Sequence, residues 1–226
     1  MAARYVEEMI TLWPNGPYHL YGWSFGGVVA FEMAQLLRAG KREIGLLALA
    51  DTPHPSWFEG RKEPREDEMM IHLLAEAGEM ESAFSEKLKG MGLKDRLAYL
   101  RRRLTRESIL EVGDPNRFAR VYRANLQALS TYFPSPWKGK MVFLSAEEWP
   151  EAEEIPHLAW RMFARQFDHH VIPGNHFTLH RQPNVSRIVG VLDAQRAKSP
   201  WHRLRYRTGR RARQRAPVRR WPPPSP

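Results

Sequence analysis

The sequence has 226 residues, of which 42% are hydrophobic, and it contains no cysteine. A chain of this length can bury the core of one ordinary domain, and the lack of cysteine excludes a disulfide scaffold, a thiolate metal site and a cysteine nucleophile. The formal net charge is +10, but residues 195–226 carry ten arginines, one lysine and no acidic residue, whereas the rest of the chain has 24 basic and 25 acidic side chains.

The C-terminal stretch 195–226 is rich in arginine and proline and holds too few apolar residues to build a core. We therefore predict a globular domain over residues 1–194, followed by a disordered tail. Nonspecific attraction to polyanions is the alternative interpretation of the tail. No basic–aromatic fold signature accompanies the charge, so nucleic acid is not an expected partner.

No segment has the pattern of a membrane anchor or a secretory leader. The longest apolar run, Ile44–Ala50, is far shorter than the ~20 residues needed to cross a bilayer. The opening residues mix charged and apolar side chains instead of forming the apolar block of a signal peptide. These features predict a cytoplasmic protein without membrane contact.

The first fifty residues alternate between helical and strand patterns. Apolar residues recur at helical spacing over Met1–Trp13 and Phe25–Arg38, while Tyr18–Trp23 and Ile44–Ala50 have the length of short buried strands. This helix–strand–helix–strand order predicts an α/β fold with a parallel sheet and crossover helices.

The alternation is interrupted over about residues 55–135, where every periodic segment is helical. We predict a helical insertion there, with helices at 66–77, 81–89, 94–111 and 115–132. The alternation then resumes with a strand at 141–145, a helix at 155–165, a strand at 169–172 and a helix at 183–194.

The motif G-x-S-x-G occupies Gly22–Gly26, between a predicted strand and a predicted helix, which is the context of a nucleophile elbow. The sharp turn strains the serine backbone and holds the hydroxyl above the sheet, and flanking glycines let strand and helix approach. The start of the helix offers the N–H of Phe25 to a developing oxyanion. Ser24 is therefore the candidate nucleophile; a solvated serine in an ordinary turn is the alternative.

A serine nucleophile needs a histidine base, which follows the acid in chains with this motif. His176 comes after the last predicted strand and a Pro-Gly turn, so it can reach the top of the sheet. His180 is the second candidate, and we interpret it as a surface residue. His169 and His170 lie within the predicted strand, and a metal site formed by them with His176 would lack a carboxylate at ligand spacing.

Two places offer an orienting acid, and both follow a predicted strand. Asp51 directly follows the apolar strand Ile44–Ala50, so its carboxylate would be desolvated and would need a partner. Glu147 and Glu148 follow the strand at 141–145, but paired glutamates are typical of a solvated surface. We favour Asp51 as the acid, with a purely structural cap as the alternative.

The stretch PYHLYGWSFGGVVAFEMAQLLRAGKREIGLLALADTPHP, residues 17–55, resembles the thioesterase domain of nonribosomal peptide synthetases and polyketide synthases. The resemblance covers about residues 1–194. It rests on GWSFGG, on the Leu-x-Asp-x-Pro setting of Leu49–Pro53 and on the Gly-x-His setting of Gly174–His176.

The resemblance implies an α/β-hydrolase fold with a helical lid, nucleophile Ser24, acid Asp51 and base His176. It also implies an acyl or peptidyl thioester substrate, carried on the phosphopantetheine of a carrier protein and released by hydrolysis or cyclisation, with no bound cofactor. The predicted lid is rich in Met and Leu, which suits an apolar acyl chain, although amphipathic helices pack with the same residues.

The chain departs from the family pattern at its start. The family has further strands ahead of the helix that opens this sequence, and the loop after one of them supplies a second oxyanion donor. We therefore expect a truncated sheet of four strands with Phe25 as oxyanion donor; losing one such donor costs about 10²–10³ in rate. A general carboxylesterase of the same fold and a noncatalytic truncated remnant are the alternative interpretations.

Overall fold

The structure is a computed structural model that describes residues 1–60, 63–76, 87–88, 90–103, 115–148 and 156–198. Within these ranges, no helix combines the length and the apolarity that a membrane span would require.

A four-stranded sheet forms the centre of the molecule, with every strand parallel to its neighbour and the order β1-β2-β3-β4. The strands are β1 (Tyr18–Trp23), β2 (Ile44–Ala50), β3 (Trp137–Glu148) and β4 (Ala164–Asn175). Because all strands run in the same direction, their carboxyl ends lie together at one end of the sheet, where sites form in open α/β folds.

Seven α-helices and one short 3-10 helix are described around this sheet. The helices are α1 (Ala2–Leu12), α2 (Phe25–Ala39), the 3-10 turn Pro55–Phe58, α3 (Glu66–Glu76), α4 (Leu93–Arg103), α5 (Pro115–Thr131), α6 (Pro156–Arg161) and α7 (Asn184–Lys198).

The two faces of the sheet bury different clusters because alternate side chains of a strand point to opposite faces. Leu49 and Phe143 belong to the larger cluster, which packs against α1, α2, α5 and α6. Ala50 and Leu144, one position later on the same strands, belong to a smaller cluster with Ile188 of α7. The sheet is therefore covered on both faces, in three layers.

The lid is the helical region between β2 and β3, and α3, α4 and α5 are its described helices. Leu74 and Leu100 are fully buried in a small cluster that joins α3 to α4. The lid thus uses part of its apolar surface for its own packing. The predicted helix at 81–89, and the end of the one predicted at 94–111, fall largely or wholly outside the described residues.

The predicted start of the chain is confirmed, since β1 and β2 have the predicted bounds. The later strands are longer than predicted: β4 already begins at Ala164, where we expected helix, and continues through Pro173 and Gly174, where we expected a turn. The reason is that β4 lies at the edge of the sheet and has a mostly polar, half-exposed surface without a continuous apolar run.

The predicted boundary between domain and tail also shifts. Helix α7 continues to Lys198, and Gln195 is buried, with its side-chain oxygen accepting a hydrogen bond from Lys140 and its nitrogen donating to Asp168. Gln195 is thus part of the folded domain rather than of the tail. The rest of the predicted tail, 199–226, lies outside the described residues.

Candidate active site

Ser24 forms the turn between β1 and α2 in a strained backbone conformation. Its φ is 53° and its ψ is −131°, a region that residues with a Cβ avoid and that recurs at functional sites. Its N–H donates to the carbonyl of Ala50 at 3.0 Å, and its own carbonyl accepts from the N–H of Gly27 at 3.0 Å. The turn is therefore held on both sides by main-chain hydrogen bonds.

Two glycines allow the close approach around this turn. A Cβ at Gly22 would overlap the backbone of Gly26 and Gly27, and a Cβ at Gly27 would overlap the side chain of Thr52. Gly26 differs, because a Cβ there meets no atom within 4 Å. The expected role of glycine in bringing strand and helix together thus applies to Gly22 and Gly27, but not to Gly26.

Asp51 lies directly after β2 and is completely buried. Its N–H donates to the carbonyl of Leu144 at 2.7 Å, and its Oδ1 accepts from the N–H of Ala146 at 2.9 Å. Both bonds reach across to β3, so the neighbouring strand orients the carboxylate and leaves Oδ2 for another donor.

His176 directly follows β4 on a short, well-bonded turn. The side-chain oxygen of Asn175 accepts from the N–H groups of Phe177 and Thr178, at 3.1 and 3.2 Å. The indole N–H of Trp23 donates to the carbonyl of His176 at 3.1 Å, and the two rings lie 5.0 Å apart. The histidine is thereby anchored to the strand that carries the candidate nucleophile.

The structure brings Ser24, His176 and Asp51 together in one hydrogen-bonded chain. His176 Nδ1 lies 2.7 Å from Asp51 Oδ2, and His176 Nε2 lies 3.1 Å from Ser24 Oγ. Because a carboxylate only accepts hydrogen bonds, Nδ1 is the donor, and Nε2 of the neutral ring is free to accept the serine proton. This arrangement can activate a hydroxyl for attack on a carbonyl.

The other candidates have different neighbours. His180 is exposed, and its Nε2 lies 2.6 Å from the hydroxyl of Tyr21. Desolvation of the phenol group, and secondarily the charge of Asp51, raise the pKa of Tyr21, while desolvation of the ring nitrogens and then the charge of His176 lower the pKa of His180. Tyr21 is therefore the donor in this pair. Glu147 and Glu148 end β3, but the imidazole bond to a carboxylate goes to Asp51.

The strand histidines also have partners of their own. His169 Nε2 lies 2.7 Å from Ser145 Oγ, and the His169 ring stacks on His157 at 3.9 Å. Burial, with the charges of His157 and His170, lowers the pKa of His169 to about 4. Across the residues whose placement is described, no group of three or more His, Asp or Glu side chains is arranged to hold a metal ion.

The candidate oxyanion donor Phe25 is the first residue of α2. An N–H in the first turn of a helix has no carbonyl partner inside that helix, and the helix dipole adds partial positive charge there. The N–H of Phe25 is therefore positioned at the helix end beside Ser24, as the motif predicts.

One group of residues near the site was not predicted from the sequence. His72 of α3 lies with its ring 6.2 Å from the ring of His176, and Phe177 and Tyr122 surround it at 5.3 and 4.9 Å. Within the sequence, His72 is one polar residue in an amphipathic helix, and no local signal marks it. Only the packing of the lid on the turn after β4 reveals the contact.

A cavity with a volume of about 510 Å³ lies at the opposite end of the sheet. It opens between the first residues of β2 and β3, and its rim includes Arg38, Arg42, Lys140 and Lys198. Because Ser24 lies at the carboxyl ends of the strands, this cavity is separate from the serine, histidine and aspartate.

The family model of the thioesterase domain matches residues 1–195. Among curated relatives, the dimodular nonribosomal peptide synthase of Bacillus subtilis (strain 168) is 32% identical over 152 residues, which is 67% of this chain and 6% of that protein. The N-(5-amino-5-carboxypentanoyl)-L-cysteinyl-D-valine synthase of Amycolatopsis lactamdurans is 56% identical over 46 residues, 20% of this chain and 1% of that protein. The chain thus spans only a small part of these relatives.

Solved structures share the fold. A four-domain nonribosomal peptide synthetase bound to AMP and glycine matches with a TM-score of 0.65 at 24% identity, over 86% of this chain and 15% of that chain. The NocB thioesterase domain, in a covalent complex with a fluorophosphonate nocardicin G analogue, matches with a TM-score of 0.57 at 24% identity, over 86% and 73%. Human thioesterase 2 matches with a TM-score of 0.53 at 16% identity, over 86% and 81%.

Proposed function

The chain belongs to the thioesterase domain family, whose members hydrolyse thioesters, and from this we propose that it is a serine thioesterase of nonribosomal peptide or polyketide biosynthesis. Ser24 is the nucleophile, His176 the general base and Asp51 the acid that orients the base. The observation that carries the proposal is the chain of bonds from Asp51 Oδ2 through the imidazole to Ser24 Oγ, at 2.7 and 3.1 Å.

Acylation begins when His176 Nε2 takes the proton of the Ser24 hydroxyl and Oγ attacks the thioester carbonyl carbon. The carbonyl electrons move onto oxygen, and the N–H of Phe25 at the start of α2 stabilises that charge. Asp51, which accepts from Nδ1, stabilises the imidazolium. When the tetrahedral intermediate collapses, the carbon–sulfur bond breaks and the departing sulfur takes the proton from His176.

A thioester is a favourable substrate for this site because a thiol with a pKa of ~8.5 leaves more readily than an alcohol or an amine. In the second half of the reaction, His176 removes a proton from water, or from a hydroxyl or amine of the acyl chain itself. Attack of that oxygen or nitrogen on the acyl-serine carbonyl forms a second tetrahedral intermediate. When it collapses, the ester bond breaks, its electrons return to Ser24 Oγ, and Oγ takes the proton back from His176. Water releases an acid, and the internal nucleophile releases a ring.

The substrate is an acyl or peptidyl chain held on the phosphopantetheine of a carrier protein. This part of the proposal is supported by relatives named as peptide synthases, of which the chain spans only a small share. A pantetheine arm brings the thioester to Ser24 from outside, so the lid, which lies over His176, has to let it pass.

The test uses the 226-residue chain with an acyl-N-acetylcysteamine thioester, which mimics the end of a pantetheine arm. We expect the chain to hydrolyse this thioester faster than the matching oxygen ester. We also expect a fluorophosphonate to label Ser24 covalently, and peptide mass spectrometry locates the label. In Ser24→Ala, turnover falls by a factor on the order of 10⁴ or more and the label is lost.

The matched control is Ser135→Ala, since Ser135 is an exposed serine away from the triad. It keeps both the turnover and the label. Full turnover in Ser24→Ala, or clean labelling of another residue, would contradict the assignment of the nucleophile. Preference for the oxygen ester would favour a carboxylesterase.

A further inference from the structure

The imidazole of His176 is contacted from two directions. On the sheet side, Asp51 accepts from its Nδ1 and Trp23 packs against its ring at 5.0 Å. On the lid side, the ring of His72 meets it edge to face, with 6.2 Å between the centroids and 89° between the planes. The lid therefore contributes one wall of the space in which the candidate base is held.

This wall is part of a ring cluster that links three elements. His72 belongs to α3, Tyr122 to α5, and Phe177 to the turn after β4. Phe177 lies 5.0 Å from the His176 ring and also packs against the lid cluster around Leu74 and Leu100. Since Phe177 follows His176 directly in the chain, a shift of the lid reaches the catalytic turn through this side chain and through His72.

The His72 ring is neutral, which is favourable beside the imidazole of His176. Burial, with the nearby charge of His176 as a second cause, lowers the pKa of His72 to about 3. A neutral ring adds packing and an aromatic surface beside the imidazolium that forms when His176 takes a proton. A cation at the same position would repel that imidazolium and oppose proton transfer.

We propose that His72 is a positioning residue, through which the closed lid holds the imidazole of His176 in line with Ser24. The proposal rests on the proposed function, in which His176 is the base. A neutral aromatic ring is required, because the contact works through shape and the absence of charge. When the lid closes, His72 therefore also aligns the imidazole of His176 with Ser24.

Three variants of the full chain separate this role from general lid packing. His72→Ala removes the ring, His72→Phe keeps an aromatic ring without the nitrogens, and Leu100→Ala loosens the lid core, on which Phe177 packs, but keeps every ring of the cluster. With the acyl-N-acetylcysteamine thioester, we expect kcat of His72→Ala to fall about 10- to 100-fold, since a misplacement of about 1 Å can cost this much. We expect KM to change little. We expect kcat of His72→Phe to stay within about threefold of the wild type, because the phenyl ring still holds the imidazole of His176 in position.

A second readout does not need turnover. In ¹⁵N-histidine-labelled protein, the proton on His176 Nδ1, which is bonded to Asp51, gives a far-downfield NMR signal while the imidazole is held. We expect this signal to persist in His72→Phe and Leu100→Ala and to broaden in His72→Ala. Thermal unfolding of each variant identifies any change that comes from loss of the fold.

Unchanged kcat and an unchanged signal in His72→Ala would overturn the proposal, as would equal losses in His72→Ala and Leu100→Ala. If the wild type neither turns over thioester nor labels at Ser24, the proposed function fails, and the NMR signal still decides whether His72 positions His176.

Discussion

The triad and the lid are held by different kinds of interaction. Ser24 and Asp51 are tied into the sheet by hydrogen bonds to main-chain groups of Ala50, Leu144 and Ala146, and Asp51 is fully buried. The lid helices α3 and α4 are joined by side chains instead: a small apolar cluster and the buried carboxylate of Asp67, which accepts from Arg65 and Arg96.

This difference separates the two tasks of the site. Groups that must keep sub-ångström geometry lie on a ladder of strands, where backbone bonds determine their position. The lid, which opens for the substrate in the proposed function, depends on a few side-chain contacts, which break at a lower cost. Changes in the sheet should therefore affect chemistry or global stability, and changes in the lid away from His72 should affect local opening.

The largest effect is expected for Asp51→Asn. The Asn oxygen can still accept from the N–H of Ala146, so its NH₂ faces Nδ1 of His176 and donates to it. The proton then lies on Nε2, which can no longer accept from Ser24, and kcat should fall about 10⁴-fold. Steady-state kinetics measures the loss; a decrease of less than about tenfold would contradict the role of Asp51.

The next test compares two consecutive glycines, Gly26 and Gly27, in the first turn of α2. Gly27→Ala should lower the free energy of unfolding by about 1–3 kcal/mol, because the new methyl group meets Thr52. Gly26→Ala is the matched control, since its methyl group enters open space. It should leave stability unchanged or raise it by up to about 1 kcal/mol. Urea unfolding measures both, and equal effects would show that close approach is not the reason for Gly27.

A pH dependence should appear in the lid. The pKa of His72 falls from its ordinary value of 6.5 to about 3 in the closed lid, so the opened lid binds a proton more readily. The stability of the closed lid is therefore fully present above pH 6.5 and is lost as the pH falls from there towards 3. Opening should increase by up to about tenfold per pH unit in this window.

Hydrogen exchange of the α3 amides between pH 7 and 5, corrected for intrinsic exchange rates, measures this opening. His72→Phe is the control, and its α3 amides should show no such slope. A slope that is the same in both proteins would assign the effect to other groups.

The smallest effect is expected for Asp67→Asn. The hydrogen bonds and charges of Arg65 and Arg96 overcome the effect of burial and lower the pKa of Asp67, so the carboxylate stabilises the lid. Because the arginines are partly exposed, we expect a loss of about 1 kcal/mol, confined to α3 and α4. Hydrogen exchange locates it, and Glu8→Gln, in the exposed pair with Arg4, is the control without effect. Faster exchange in the sheet would contradict the separation of lid and sheet.

The local patterns of the sequence predicted much of the fold and of the candidate site. Clear turns at their ends predicted β1 and β2: β2 is an apolar run that ends in four buried residues, whereas β1 alternates buried and exposed residues. The edge strand β4 was predicted too short, since its half-exposed surface tolerates polar residues such as Arg165 and Gln166.

Ser24, Asp51 and His176 could be selected from the sequence because each lies at the end of a strand, where the chain itself dictates the geometry. His72, Trp23 and Phe177 could not, because their importance lies in contacts between segments far apart in the chain.

The sequence by itself determined which residues could react and on which elements they lie. The reason is that a strained turn, the end of a strand and the position of a glycine depend only on neighbouring residues of the chain. Only the tertiary structure decided which histidine meets which carboxylate, and which lid side chain covers the base. Those distances depend on strand register and helix packing, which are set by the burial of the whole core.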